Sequence, residues 1–172
     1  MRTADDSQQA ISAPVRTGDL ESRAHETHHE ALRLWLRLLT CTQLVEAQVR
    51  TRLRNDFNVT LPRFDLLAQL ERHPQGLKMG ELSRRMMVTS GNVTGITDQL
   101  VEDGWVRRTA IPDDRRAYVI KLTPAGKRAF DRMASAHEEW VIEMLGGLSN
   151  KEREQLYKLL GRVKQYVNEV KS

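Results

Sequence analysis

Thr89-Ser90-Gly91-Asn92-Val93-Thr94-Gly95-Ile96-Thr97-Asp98-Gln99-Leu100-Val101-Glu102-Asp103-Gly104-Trp105-Val106-Arg107-Arg108-Thr109 changes its period partway along, and that change decides the fold. Val93, Ile96 and Leu100 recur three and four apart, the spacing of one helical face, as far as Asp103. Gly104 supplies the left-handed residue on which many helices end. From Trp105 to Thr109 the alternation is that of a strand, and Tyr118-Val119-Ile120-Lys121-Leu122 repeats it. Between the two lies Ala110-Ile111-Pro112-Asp113-Asp114-Arg115-Arg116-Ala117, a polar tip with turn chemistry and two adjacent arginines. The stretch is a helix running into a β-hairpin.

Towards the N-terminus, a short helix from near Lys78 through Leu82 to about Met86 precedes the helix that starts at Thr89 or Ser90. Two short helices joined by so few residues make a helix-turn-helix. Before them, Thr60 with Pro62 just inside it starts a helix carrying Phe64, Leu66, Leu67 and Leu70, which His73-Pro74-Gln75-Gly76 stops. From about Glu26 to Phe57 the residues Leu32, Trp35, Leu36, Leu39, Leu44, Val45, Val49 and Leu53 mark one long helix. Leu34 and Leu38 widen its stripe, as expected of a helix packed on two sides at a subunit interface. Residues 1–24 are polar and aperiodic and read as a flexible arm.

Towards the C-terminus, Thr123-Pro124 is an N-cap followed by proline, and Phe130, Met133, His137, Trp140, Val141 and Met144 follow at helical spacing. Gly146-Gly147 breaks this helix, Ser149-Asn150-Lys151-Glu152 is a capping box, and Leu156, Leu159, Leu160, Val163, Tyr166, Val167 and Val170 complete a last amphipathic helix. The expected architecture is mainly α with a small β-hairpin wing: a winged helix-turn-helix lobe flanked by long N- and C-terminal dimerisation helices. Its divisions are an arm at 1–24, an N-terminal helix of a dimerisation and ligand region at 25–58, the winged helix-turn-helix at 59–122, and C-terminal dimerisation helices at 123–172.

Composition limits the function classes. The 172 residues are 40% hydrophobic and 29% charged, enough for a core and a wet surface, which excludes collagen-like and wholly disordered chains. No run approaches the roughly 18 apolar residues of a membrane span, and the N-terminus lacks the apolar centre of a signal peptide. Cys41 is the single cysteine, so no internal disulfide forms. A cytoplasmic protein is expected. Lys and Arg number 27 against 23 Asp and Glu, a net +4 that suits a phosphate-bearing partner only where the cations cluster.

Pattern locates that clustering. Thr89, Ser90, Asn92 and Thr94 fall largely off the apolar face of their helix, and hydroxyl and amide groups at a helix N-terminus suit phosphate oxygens and major-groove base edges. The Arg115-Arg116 tip suits a narrow minor groove, where negative potential is focused. Taken singly, each is an ordinary solvated surface. Their succession as helix, turn, helix and ribbon points to double-stranded DNA as the partner.

At this level the chain resembles the MarR family of dimeric bacterial regulators, from about Leu32 to Val170. Gly104-Trp105-Val106-Arg107-Arg108, then Pro112-Asp113-Asp114-Arg115-Arg116-Ala117-Tyr118-Val119-Ile120-Lys121-Leu122-Thr123-Pro124-Ala125-Gly126, is similar to the family's wing signature, an Asp-x-Arg followed by a strand and Leu-Thr-x-x-Gly. The resemblance implies that Asp114 braces the wing, Arg116 enters the minor groove and Arg115 meets a phosphate. It implies also that the first helix and the last two pair two subunits, setting two recognition helices on a pseudo-palindromic operator. One departure is Gly95, where many relatives carry arginine directly after the recognition-helix threonine. Readout then leans on Asn92, Thr94 and DNA shape.

Within the family, Leu34-Trp35-Leu36-Arg37-Leu38-Leu39, Leu61-Pro62-Arg63-Phe64-Asp65-Leu66-Leu67, Met79-Gly80-Glu81-Leu82-Ser83-Arg84-Arg85 and Ser90-Gly91-Asn92-Val93-Thr94-Gly95 look most like regulators of aromatic-acid catabolism, which release DNA on binding a hydroxycinnamoyl-CoA thioester. That likeness implies a repressor and a small aromatic or aroyl-CoA effector. Its cavity would hold an aromatic ring against Trp35, Leu39 and Phe64, with Arg37 or Arg63 meeting an anion. The alternative for Trp35, Leu39 and Phe64 is plain core packing.

Other chemistry is thinner. His25-Glu26-Thr27-His28-His29 fits H-E-x-x-H, a zinc-hydrolase pattern, but lies at a ragged helix start with no evident third ligand. A regulatory metal site joining these histidines with His73 or His137, or an oxidation switch at Cys41, would make a metal- or redox-responsive regulator of the same fold. No basic residue immediately flanks Cys41 to lower its pKa, so a buried structural cysteine is the better expectation. With no phosphate loop, nucleophile elbow or catalytic carboxylate pair, the expectation is no enzyme, no cofactor and no committed metal site.

Overall fold

Helical periodicity and strand alternation both appear where the spacing places them. The computed structural model describes residues 29–111 and 114–170, and at residues 111 and 114–117 it describes backbone alone. In chain order the elements are α1 (Glu30–Phe57), α2 (Leu61–Glu71), α3 (Met79–Met86), α4 (Ser90–Glu102), β1 (Val106–Ile111), β2 (Asp114–Leu122), α5 (Pro124–Met144) and α6 (Asn150–Val170). The fold is mainly α with one antiparallel strand pair. The proposed arm at 1–24, and His25 and Glu26 of the H-E-x-x-H pattern, lie outside the described residues.

The chain divides into two units, one ending at Leu44 and one beginning at Val45. In the first, the described part of α1 leaves Leu32, Leu34, Trp35, Leu39 and Leu44 exposed. Cys41 is exposed as well, a correction to the buried cysteine expected from the sequence. The reason is its place: the first buried residue of α1 is Val49, two turns further on.

In the second unit α2 is the centre, burying Phe64, Leu66, Leu67 and Leu70 and packing on α3, α4, α5 and β2. Leu53, Val59, Leu82, Val93, Leu100, Val106, Ile120 and Met133 close the same core. Each such leucine contributes about 1.5–3 kcal/mol by leaving water.

Close backbone approaches join the pieces. Gly76 sits at φ 88°, and a Cβ there would lie 2.7 Å from the Ile120 carbonyl oxygen, so only glycine fits. This lets Leu77 pair with Ile120, N–H to O at 3.1 and 2.8 Å, fastening β2 to the residue that leads into α3. Lys78 N–H donates to Glu81 Oε2 (3.0 Å), satisfying one amide at the α3 N-terminus. Between α3 and α4 the chain reverses in a Schellman turn: Met87 N–H donates to Arg84 O (3.3 Å) and Val88 N–H to Ser83 O (3.2 Å). Met87 takes the left-handed position, φ 54° and ψ 36°, and Ser83 Oγ donates to Val88 O (2.6 Å) to close the loop.

The strands are longer than the alternation suggests. Pairing runs from Val106–Leu122 to Ala110–Tyr118 in register, then shifts so that Ile111 faces Asp114. At the polar tip Asp114 is held in the strand by its pairing with Ile111, the ladder overriding the side-chain pattern, while residues 115–117 bulge between the two paired stretches. The return is locked at Thr123, whose N–H donates to Trp105 O (3.0 Å) and whose Oγ1 donates to Gly104 O (2.7 Å) and accepts from Gly126 N–H (3.0 Å). A Cβ on Gly126 would fall 1.9 Å from Trp105 O, which gives the Leu-Thr-x-x-Gly pattern a steric cause. Ser149 and Glu152 form the expected capping box, and Arg153 Nη1 donates to Leu148 O (2.9 Å) at the α5–α6 joint.

Candidate nucleic-acid interface

Helix α4 turns its apolar side inward through Val93, Thr97 and Leu100. Its other side opens to solvent at the N-terminus, where Ser90, Gly91, Asn92, Thr94 and Gly95 are all exposed. Thr89 Oγ1 caps the helix by accepting from Asn92 N–H (3.4 Å), and Thr94 Oγ1 donates to Ser90 O (3.0 Å). Each hydroxyl is thus oriented by the helix itself. The Asn92 amide group is exposed, and its two donors and one acceptor match the edge of an adenine. A Cβ on Gly95 meets nothing within 4 Å, so the missing arginine side chain is not excluded by space.

The wing is tied to this helix from its root. Arg108 of β1 pairs with Asp98 of α4 and lies over the Tyr118 ring of β2, 5.6 Å from its centroid. One guanidinium therefore bridges recognition helix, first strand and second strand. Asp114, Arg115 and Arg116 belong to β2, with Asp114 paired to Ile111; their side chains lie outside those described. The α4–wing bridge was not foreseen, since residues ten apart in different elements share no periodicity.

A second arginine holds the opposite end of α4. Arg63 pairs with Asp103 and stacks over Trp105 at 5.4 Å. Burial lowers its pKa from the ordinary arginine value, and Arg63 Nε has no hydrogen-bond partner. Phe64 beside it is buried, its ring 5.6 Å from Phe130 and 5.2 Å from His137. Phe64 also lines a groove with Asp65, Arg72, Arg85, Met87 and His137. Burial raises the Asp65 pKa, aided by the Glu46 charge, and burial lowers that of His137. Trp35, Arg37 and Leu39 are exposed residues of the first unit. Of the histidines raised as metal ligands, His73 Nδ1 lies 2.8 Å from Gln69 O, and His137 packs on Phe64.

No helix among the described residues is long and apolar enough to cross a membrane.

The MarR family model matches residues 59–118, from two residues before α2 into the second strand of the wing. The HTH-type transcriptional regulator PecS of Dickeya dadantii is 31% identical over 113 residues, covering 64% of this chain and 68% of that protein. The crystal structure of a MarR family transcriptional regulator from Silicibacter pomeroyi superposes with a TM-score of 0.69 at 31% identity, covering 83% of this chain and 98% of the other. Sco3205, a MarR family transcriptional regulator from Streptomyces coelicolor crystallised in complex with DNA, gives a TM-score of 0.68 at 25% identity over 81% of this chain and 88% of its own. With an exposed polar recognition helix wired to a basic wing, and regulators rather than enzymes as its relatives, the chain belongs to the MarR family of DNA-binding transcriptional regulators.

Proposed function

We propose that the protein acts as a homodimeric repressor that holds a pseudo-palindromic operator and lets go when a small aromatic effector binds. The observation that carries the DNA half is the Asp98–Arg108–Tyr118 bridge, which sets wing and recognition helix at one angle so that both address one duplex face. Thr89, Ser90, Asn92 and Thr94 read the major groove, Arg116 enters the minor groove, Arg115 meets a phosphate and Asp114 braces the tip. The observation favouring a second copy is α6, which buries no residue of its own yet exposes Leu159, Val163, Tyr166 and Val167. Residues 25–58 and 123–172 then serve subunit pairing and 59–122 serves DNA.

For the effector, a hydroxycinnamoyl-CoA thioester is the favoured chemistry by sequence likeness. Arg37 or Arg63 is the anion partner, and Arg63 would have to leave Asp103 to serve. A ligand that binds more tightly to the dimer with mis-spaced recognition helices weakens operator binding by that difference in affinity.

The test is a gel shift on the DNA upstream of the protein's own gene, with p-coumaroyl-CoA, feruloyl-CoA and the free acids. Release by a thioester alone is expected. Release by metal or oxidant instead would move the sensor to His25, His29 or Cys41 and remove the aromatic effector. Arg116→Ala should weaken binding about tenfold and reduce its salt dependence; unchanged binding would remove the wing from recognition.

A further inference from the structure

Four described residues have positive φ. Gly76, Gly104 and Asn58 are residue types that adopt this conformation readily; the fourth is Met87. The turn it occupies does not need methionine, because backbone hydrogen bonds to Ser83 and Arg84 carbonyls and the Ser83 hydroxyl on Val88 O hold it together. On either side, Met86 and Val88 are partly buried against the core. Met87 alone is turned outward, 93% exposed, so the chain keeps an apolar side chain in water on a backbone that disfavours it. The turn's own hydrogen bonds offset the backbone cost, but nothing among the described residues covers the exposed apolar side chain, which marks a position suited to an outside contact.

The surroundings say which contact. Arg84 and Arg85 are exposed in the last turn of α3, and Thr89, Ser90 and Asn92 are exposed immediately after the turn. This strip of cations and hydrogen-bonding groups suits a polyanion and is ill suited to an apolar protein surface. Within the DNA backbone the apolar part is deoxyribose, and a flexible unbranched thioether can lie along it while neighbouring arginines meet phosphates.

We infer that Met87 is a DNA-contacting residue, packing against the deoxyribose edge of the strand that flanks the groove entered by α4, with Arg84 or Arg85 on an adjoining phosphate. The inference rests on the DNA-binding reading and adds a contact that carries affinity without base specificity. Its signature differs from that of an arginine contact: no counterion is released, so its loss lowers affinity at every salt concentration alike.

The experiment measures affinity by fluorescence anisotropy across a salt series, using the full chain, the upstream DNA and an unrelated duplex at low salt. Met87→Gly should melt no lower than the parent, since glycine relieves the left-handed residue, yet bind both duplexes about five- to tenfold more weakly with an unchanged salt slope. Met87→Leu should recover most of that loss. Equal affinity of parent and Met87→Gly would overturn the inference, as would a reduced salt slope. Unchanged DNA affinity with an altered effector response would assign Met87 instead to the groove it shares with Phe64 and His137. A parent chain that binds neither duplex would overturn the DNA-binding reading itself, an outcome distinct from a defect confined to the variant.

Discussion

Helix α4 and helix α6 expose opposite chemistries. α4 buries Val93, Thr97 and Leu100 and presents Ser90, Asn92 and Thr94 to solvent, whereas α6 buries nothing and presents Leu159, Val163 and Tyr166. The first is held in place by its own lobe and can meet a hydrated, charged partner with no change of fold. The second has no such support: a helix of 21 residues gains little from propensity alone, and its apolar stripe has no purpose in water. On the proposed function, the polarity of each exposed face matches its partner, nucleic acid for α4 and a second copy for α6.

The largest expected effect follows from removing the second face. Deleting the chain from Leu156 onward should abolish the dimer in analytical ultracentrifugation and reduce operator binding by orders of magnitude, because each half-site is then bound independently. A folded monomer that still holds the full palindrome at parental affinity would dissolve the contrast. Next comes the first face. Asn92→Ala with Thr94→Ala should leave the dimer and the melting temperature intact while weakening the operator about ten- to a hundredfold, more than any unrelated duplex. Equal losses on both duplexes would show that α4 positions without reading.

The smallest effect concerns neither face and sharpens the comparison by isolating the lobe. Burial holds the His137 imidazole below its ordinary pKa, so above about pH 6.5 both folded and unfolded chains keep it neutral and it costs nothing. As pH falls through that value the unfolded chain takes up the proton first, and stability declines. Solvent reaches the ring, which limits the decline to well under about 1 kcal/mol. His137→Gln should flatten urea-denaturation stability between pH 7 and pH 5; an unchanged slope would place the titrating group elsewhere.

What could be read from the sequence was local chemistry. Thr89 before α4, Gly104 after it, Thr123-Pro124 before α5 and Ser149 with Glu152 before α6 sit where their hydrogen-bonding and backbone preferences place them. What escaped was chemistry between distant residues or against local preference. Asp98 with Arg108, and Arg63 with Asp103 and Trp105, are partners only once the lobe has closed. The strand pair reaches Ile111 and Asp114 because ladder hydrogen bonds override a polar tip. Met87 occupies a left-handed turn with none of the residues that announce one. Among the site residues, the exposed side of α4 followed directly from where Val93 and Leu100 point, whereas Arg63 and Phe64 already have neighbours that no spacing rule lists.

The pairing of Leu77 with Ile120 has a consequence for the order in which the protein comes into being. A chain leaving the ribosome possesses all of α4 well before residue 120 emerges, yet until then nothing fastens β2 beside the entrance to α3. On the proposed function the DNA-reading surface is therefore completed late in synthesis, and a chain truncated before residue 120 carries α4 without an anchored wing.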